Sequence, residues 1–327
     1  MTHDPIFLTG ANGYIGRNLI RHFVAKGHKV TGLVRGAKGA ETIAALGAEP
    51  VIGDMMATDL VPLMRGPTHL IHAAADLDHG PGQGARQLNT IGTDRVFDAA
   101  RAAGIGSAVH LSSDSVLQDG GPLRNVDETY PMPRKPAGAY SAGKAEAERI
   151  ALQASDTMRV MVLRPRMVWG RDDGTALPTL ARMVRSGKFA WIADGTYLSS
   201  STHIANLCHA VDLALQHGKT GEAYHISDGP ARSFRETVTG LLATQGLTAP
   251  DKSAPRGLLR LIAKAGDGAY RITGGRLRGP LSFQEYATSA VEITLDTSKA
   301  RRELGYAPVM SFEDGLAELT RGAWAAP

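Results

Sequence analysis

Along the first half of the chain, apolar residues arrive in short, nearly unbroken runs. They read "PIFLT" (Pro5–Thr9), "KVTGLV" (Lys29–Val34), "EPVIG" (Glu49–Gly53), "HLIHAA" (His69–Ala74), "SAVHLSS" (Ser107–Ser113) and "RVMVLRP" (Arg159–Pro165). Runs of this length that are apolar at nearly every position fit strands buried on both faces. Between most of them lie amphipathic stretches with helical spacing, such as Ile15–Ala25 and Thr90–Ala103. Strands alternating with helices predict an α/β fold, a doubly wound parallel sheet with helices on both faces. After Arg164–Gly170 the rhythm changes to helical pieces, "LPTLARMVRSGK" and "HIANLCHAVDLALQH". A strand-like "EAYHIS", a helix from about Ser233 and a Pro/Gly/Arg-rich stretch, Lys252–Pro280, follow.

Composition changes this picture little. At 327 residues the chain is long for one core, which favours a large α/β unit with a smaller C-terminal lobe. Hydrophobic residues make up 43% and charged residues 21%, and the net charge of +4 is interspersed, so no basic stripe points to nucleic acid. The single cysteine, Cys208, permits no internal disulfide and reads as a buried apolar residue, as expected of a cytoplasmic protein. The opening "MTHDP" lacks a secretory pattern, and no apolar stretch is long enough for a membrane span. "RGLLRLIAKAG", Arg256–Gly266, mixes apolar and basic residues. A helix packed over a pocket is its favoured reading, and peripheral contact with a bilayer the weaker one. The 11 histidines are dispersed, and no metal is expected.

Candidate chemistry starts in "IFLTGANGYIGRNLI". Gly10, Gly13 and Gly16 sit between the first strand and the first helix, with Asn12, Tyr14 and Ile15 in the same turn. Such a turn lets the backbone approach a pyrophosphate, which then meets the free N–H groups of the helix N-terminus. At the end of the second strand Val34 takes the usual place of an acidic residue and Arg35 follows. A guanidinium there suits a 2′-phosphate, so NADP(H) is favoured over NAD(H). Further on, "GAYSAGKAEAERI" places Tyr140 and Lys144 four residues apart, on one face of a helix. Ser112, Ser113 and Ser115 stand some 25 residues earlier, at the end of a strand.

Taken in order, "TGANGYIG", "GDM", "HAAA", "NTIGT", "SSDS", "YSAGK" and "LRPRMVWG" resemble the landmarks of the extended short-chain dehydrogenase/reductase family. The likeness continues through "STHIANLCHA", "GEAYHISDG" and "KARRELGYAPVMSFEDGL", and is greatest to the 3β-hydroxysteroid dehydrogenase-like branch of the epimerase/dehydratase group. It implies a Rossmann domain over residues 1–169. Residues 170–327 would be mainly a substrate-binding lobe, with Glu222–Ser227 a candidate to rejoin the main sheet. By the same resemblance Tyr140 is the acid/base, Lys144 favours its phenolate and holds the nicotinamide ribose, and Ser113 bonds the reacting carbonyl. Asp54 and Met55 lie at the adenine, Ala73, Ala74 and Ala75 line the cofactor, Pro165 begins the segment passing the carboxamide, and Asn89 ties a helix to the sheet. A homodimer is the family's habit.

Family membership leaves several reactions open. Asp114 and Ser115 occupy the places of a dehydratase's acid and glutamate, but serine is far too weak a base for elimination. Nucleotide-sugar epimerases carry an amide where this chain has Met167, although Arg166 could still meet a diphosphate or a carboxylate. The favoured reading is hydride transfer on a secondary alcohol or ketone of a bulky apolar substrate, steroid-like or a long-chain 3-keto acid. Trp169 and Trp191, with Leu258 and Leu261, are candidates to line its cavity. A sugar-nucleotide epimerase or dehydratase is the first alternative, and a non-catalytic cofactor sensor the second.

Overall fold

A computed structural model describes residues 4–322 of the chain; Met1–His3, which open "MTHDP", lie outside them. All six apolar runs become strands of one parallel sheet. They are β1 (Ile6–Thr9), β2 (Val30–Val34), β3 (Glu49–Ile52), β4 (His69–His72), β5 (Ser107–Leu111) and β6 (Arg159–Pro165). A seventh, β7 (Glu222–Ile226), joins alongside β6, so the "EAYHIS" run does return to the main sheet. The order across the sheet is β7-β6-β5-β4-β1-β2-β3. The chain reverses direction of travel after β3, which opens a crevice between β1 and β4 at the carboxyl ends of the strands. β1, β2 and β5 are buried at every position. The edge strand β3 is not, and Ile52 is 59% exposed.

One face of the sheet is covered by α1 (Tyr14–Ala25) and the Ile204–His217 helix, through Leu19, Ile20, Phe23, Leu207, Val211 and Tyr224. The other face is covered by α2 (Gly84–Ala102) and α3 (Ala139–Gln153), over a core that includes Phe7, Leu70, Val96, Phe97 and Val160. α2 begins six residues before the expected Thr90, because its first turn is drawn from a glycine-rich stretch with no apolar period.

A smaller sheet sits over the carboxyl end of the large one. Its order is Arg232–Ser233, Leu198–Ser199, Ile293–Leu295 and Leu123–Val126. Chain from the last quarter therefore pairs with a strand that follows β5 directly. The stretch that looked least regular is largely helical: Arg256–Ile272 is a 17-residue helix, followed by Phe283–Ser289. The shorter helix starts with a reciprocal capping box, in which Ser282 and Glu285 each bond the other's backbone N–H. Among the described residues no helix is long and apolar enough to cross a membrane.

Candidate active site

Two glycines determine the turn after β1. Gly10 has φ +68°, and a side chain there would meet the Ala73 and Ala74 backbone at 2.7–2.9 Å. At Gly16 a Cβ would stand 2.2 Å from the Gly10 carbonyl oxygen. The turn is thus pressed against the end of β4 on one side and against α1 on the other. Gly13 precedes α1 with no side chain to cap it, so the first N–H groups of the helix remain free for an anion. Thr9 links β1 to the segment after β4: its Oγ1 accepts from the Ala74 N–H at 3.3 Å and bonds His72 Nδ1 at 2.7 Å. His72 is kept neutral by burial, its pKa lowered to about 3.

Arg35 emerges from the end of β2, exposed, and makes no hydrogen bond or ion pair among the described residues. Asp54 is held in a tight turn by its Oδ1, which accepts from the Met56 N–H at 2.8 Å. The Met55 side chain packs on Gly92 of α2. These groups line the same carboxyl edge of the sheet as the glycine turn. A backbone cradle without side chains, an uncapped helix start and an exposed guanidinium at the end of β2 suit a dinucleotide.

The reacting end lies at the tip of β5. Ser113 opens a single 3-10 turn, Asp114–Leu117; its Oγ accepts from the Ser115 N–H at 3.1 Å and donates to Asp114 Oδ1 at 3.2 Å. The Tyr140 hydroxyl, at the start of α3, lies beside the hydroxyls of Ser113 and Ser115, and Ser115 Oγ is buried with no hydrogen-bond partner of its own. Burial, and then the nearby Asp114 carboxylate, push the phenol up to about 12. One turn on, Lys144 Nζ donates to the Leu111 carbonyl at 2.7 Å. Burial lowers its pKa to about 8, against the pull of Glu148. The phenol stands beside the Ser113 hydroxyl, and Lys144 lies one helical turn along the same face. Burial and Asp114 leave Tyr140 protonated at neutral pH here, and the Leu111 bond uses one of the three Lys144 N–H donors.

Glu148 continues the face begun by Tyr140 and Lys144. It is fully buried, accepts from Ser112 Oγ at 2.6 Å, and forms a forked ion pair with Arg164 of β6 at 2.5–3.2 Å. Removing one member of such a pair leaves an uncompensated buried charge, a cost of about 3–5 kcal/mol.

The decisive comparison is with families. A family model described as "NAD dependent epimerase/dehydratase family" matches residues 6–227, which is more than half of the chain. The chain belongs to that family. It is similar to a 4-hydroxy-2-methyl-3-oxo-4-farnesyl-3,4-dihydroquinoline-1-oxide ketoreductase of Stigmatella aurantiaca, 40% identical over 95% of this chain and 94% of the other. It is also similar to a 2-alkyl-3-oxoalkanoate reductase of Stenotrophomonas maltophilia, 31% identical over 96% and 98%. Among solved structures, that of gox2253 superposes with a TM-score of 0.79, at 26% identity and with 98% of each chain covered. The chain is an NAD(P)-dependent oxidoreductase of the extended short-chain dehydrogenase/reductase type.

Within this family site, several expected substrate contacts are corrected. Arg166 is buried, and its guanidinium is committed to Asp114 Oδ2 at 3.0 Å, Ser199 Oγ at 3.3 Å and the Thr288 carbonyl at 3.0 Å. Three of its N–H groups are thus tied into the fold, and the side chain is 2% exposed. Asp114 is equally occupied, since its Oδ2 also accepts from Gln118 Nε2 at 2.7 Å. The pair is bonded into the fold and buttresses Ser113. Trp169 is fully buried against His203 and Phe312, and its Nε1 donates to Asp228 at 2.8 Å. Trp191 is buried with Phe189, Val238 and Leu242. Both tryptophans are core residues, because the second lobe needs its own apolar centre. Ser115 remains at the phenol.

Three contributors carried no motif. His79, in the segment after β4, packs its ring on Tyr140 with centroids 4.4 Å apart. Asn89 holds the base of that segment through the Asp76 N–H and carbonyl at 2.7 and 3.1 Å, and Ser282 Oγ donates to the His79 carbonyl at 2.7 Å. Gln284 Oε1 accepts from the Ser141 N–H at 3.1 Å, capping the first turn of α3. The capping-box spacing Ser282–Glu285 was the available signal for this helix, though not for what it touches.

Proposed function

We propose that this chain is an NADP(H)-dependent ketoreductase that moves hydride between the nicotinamide and the carbonyl or carbinol carbon of a bulky apolar substrate. The observation that carries the reading is the Tyr140 hydroxyl against Ser113 with Lys144 one turn behind it. The names of the two relatives, both keto-group reductases with apolar substituents, support the substrate class.

Gly10, Gly13 and Gly16, with Asn12, Tyr14 and Ile15, would hold the pyrophosphate, Arg35 the 2′-phosphate, and Asp54 and Met55 the adenine. Ala73–Ala75 and Pro165 would flank the nicotinamide side, and Lys144 its ribose. When bound, the cofactor supplies the hydride. Ser113 would then turn its hydroxyl from Asp114 to the substrate oxygen and hold it beside Tyr140. Tyr140, protonated at neutral pH, donates its proton to that oxygen as negative charge develops there. With its pKa pushed up to about 12 the phenol keeps its proton at neutral pH, the form that reduction requires, though it is a weaker acid than a free tyrosine. The lobe after residue 169, we infer, shapes the apolar side of the pocket.

Cofactor-coupled turnover tests the reading. Incubation with NADPH and a panel of steroid ketones, long-chain 3-keto acids and nucleotide sugars should show net loss of absorbance at 340 nm with an apolar ketone. Conversion of a nucleotide sugar with no net change in cofactor would replace it with epimerase chemistry.

A further inference from the structure

The Arg256–Ile272 helix has its apolar stripe on the wrong side for a core element. Only Ala263 and Asp267 are buried. Leu258, Leu261, Ala265 and Ile272 share the opposite face at spacings of three, four and seven residues, and it is open: Leu258 is 52%, Leu261 67% and Ile272 88% exposed. The expectation that Leu258 and Leu261 line a substrate cavity is therefore corrected. Leu277, just beyond the helix, is also exposed.

Cations flank this face. Arg260, Lys264 and Arg271 run along one side of it, and Arg276 and Arg278 follow its end. Opposing charge is scarce. Asp267 is turned inward to the Phe283 N–H, and Asp78, which accepts from the Gly80 N–H, stands 3.6 Å from Arg278. We propose that the outward face of this helix docks on an anionic lipid surface, its aliphatic residues entering the acyl boundary and its cations meeting the headgroups. An apolar stripe bordered by Lys and Arg on a helix lying in the interface plane is the combination that binds such surfaces. The inference does not depend on the proposed reaction.

Sedimentation of the full chain with vesicles tests it, at low and at high ionic strength. Vesicles of phosphatidylcholine mixed with phosphatidylglycerol should carry the protein down, and phosphatidylcholine alone should not. Combining Leu258→Ser with Leu261→Ser should reduce partitioning about tenfold. Combining Arg260→Gln with Lys264→Gln should weaken binding and remove most of its salt dependence. Both leucines are exposed, so an unchanged thermal midpoint confirms that the fold is intact. Absence of vesicle binding at low salt overturns the proposal, as does equal binding by the leucine variant. A wild-type dimer in gel filtration that the leucine variant splits also overturns it, because the face then belongs to a second copy of this chain.

Discussion

The glycine turn after β1 and the short helix Phe283–Ser289 both shape the catalytic crevice, by opposite means. The turn acts through absence: at Gly10 and Gly16 there is no room for a Cβ, and the surrounding atoms are backbone. The helix acts through presence. Gln284 caps α3, the Thr288 carbonyl receives Arg166, and Ser282 at its start grips the His79 carbonyl. A site of the first kind tolerates no substitution, since backbone cannot swing aside. A site of the second kind spreads its contribution over several bonds, each worth about 0.5–1.5 kcal/mol, and should degrade in steps.

The reacting residue lies between the two regions and should show the largest effect. Tyr140→Phe removes the proton donor, and turnover should fall by roughly 10³-fold. Cofactor affinity, measured by fluorescence titration, should remain within about twofold, because the substitution removes only the phenol oxygen and leaves Lys144 and its Leu111 bond in place. If kcat survives, Tyr140 has no part in the chemistry. Gly16→Ala comes next. The added methyl would meet two backbone carbonyl oxygens at 2.2 and 2.7 Å, and overpacking of this severity costs about 3 kcal/mol or more. Thermal denaturation should show the loss, and cofactor binding should fail with it. A stable variant that binds normally would mean the turn can move, which ends the contrast drawn above. Arg35→Ala is milder: NADP(H) affinity should drop by about 1.5–3 kcal/mol, as for a lost charge-assisted bond, with NAD(H) unaffected. Equal weakening of both cofactors would assign Arg35 to something other than the 2′-phosphate.

This difference between the regions also explains what could be read from the chain. Strand runs, the glycine turn and the Tyr140–Lys144 spacing are local patterns, because backbone sterics and helical periodicity act over a few residues. Glu148 lies on the same stripe, one turn past Lys144, and was legible in principle. The destination of a long side chain is different. Arg166 is basic and follows a strand, which describes a ligand-binding arginine as well as a buried one. Only its meeting with Asp114, Ser199 and Thr288, from three separate parts of the chain, separates the two. Trp169 and Trp191 pose the same ambiguity between pocket wall and core. In Lys252–Pro280 a helix over Arg256–Gly266 was legible, but its extension to Ile272 and the outward direction of its apolar face were not, because no burial pattern marks them.

Gln284→Ala tests the distributed region at its thinnest bond. The amide oxygen caps one N–H in the first turn of α3, and losing such a cap costs about 1 kcal/mol. The Cβ of Gln284 also lies 2.8 Å from where a side chain on Gly138 would begin, so truncation leaves that packing in place and removes only the amide. The expected result is a small fall in thermal midpoint, a several-fold loss in kcat and an unchanged cofactor Kd, because Tyr140 is the residue next to the freed N–H and the glycine turn is remote. Gln284→Glu should recover part of the activity, since a carboxylate can accept the same bond and favours a helix N-terminus. A variant that loses cofactor binding along with turnover would show that the two regions are mechanically joined. A variant indistinguishable from wild type would show that Ser282 and Thr288 suffice to seat α3 without it.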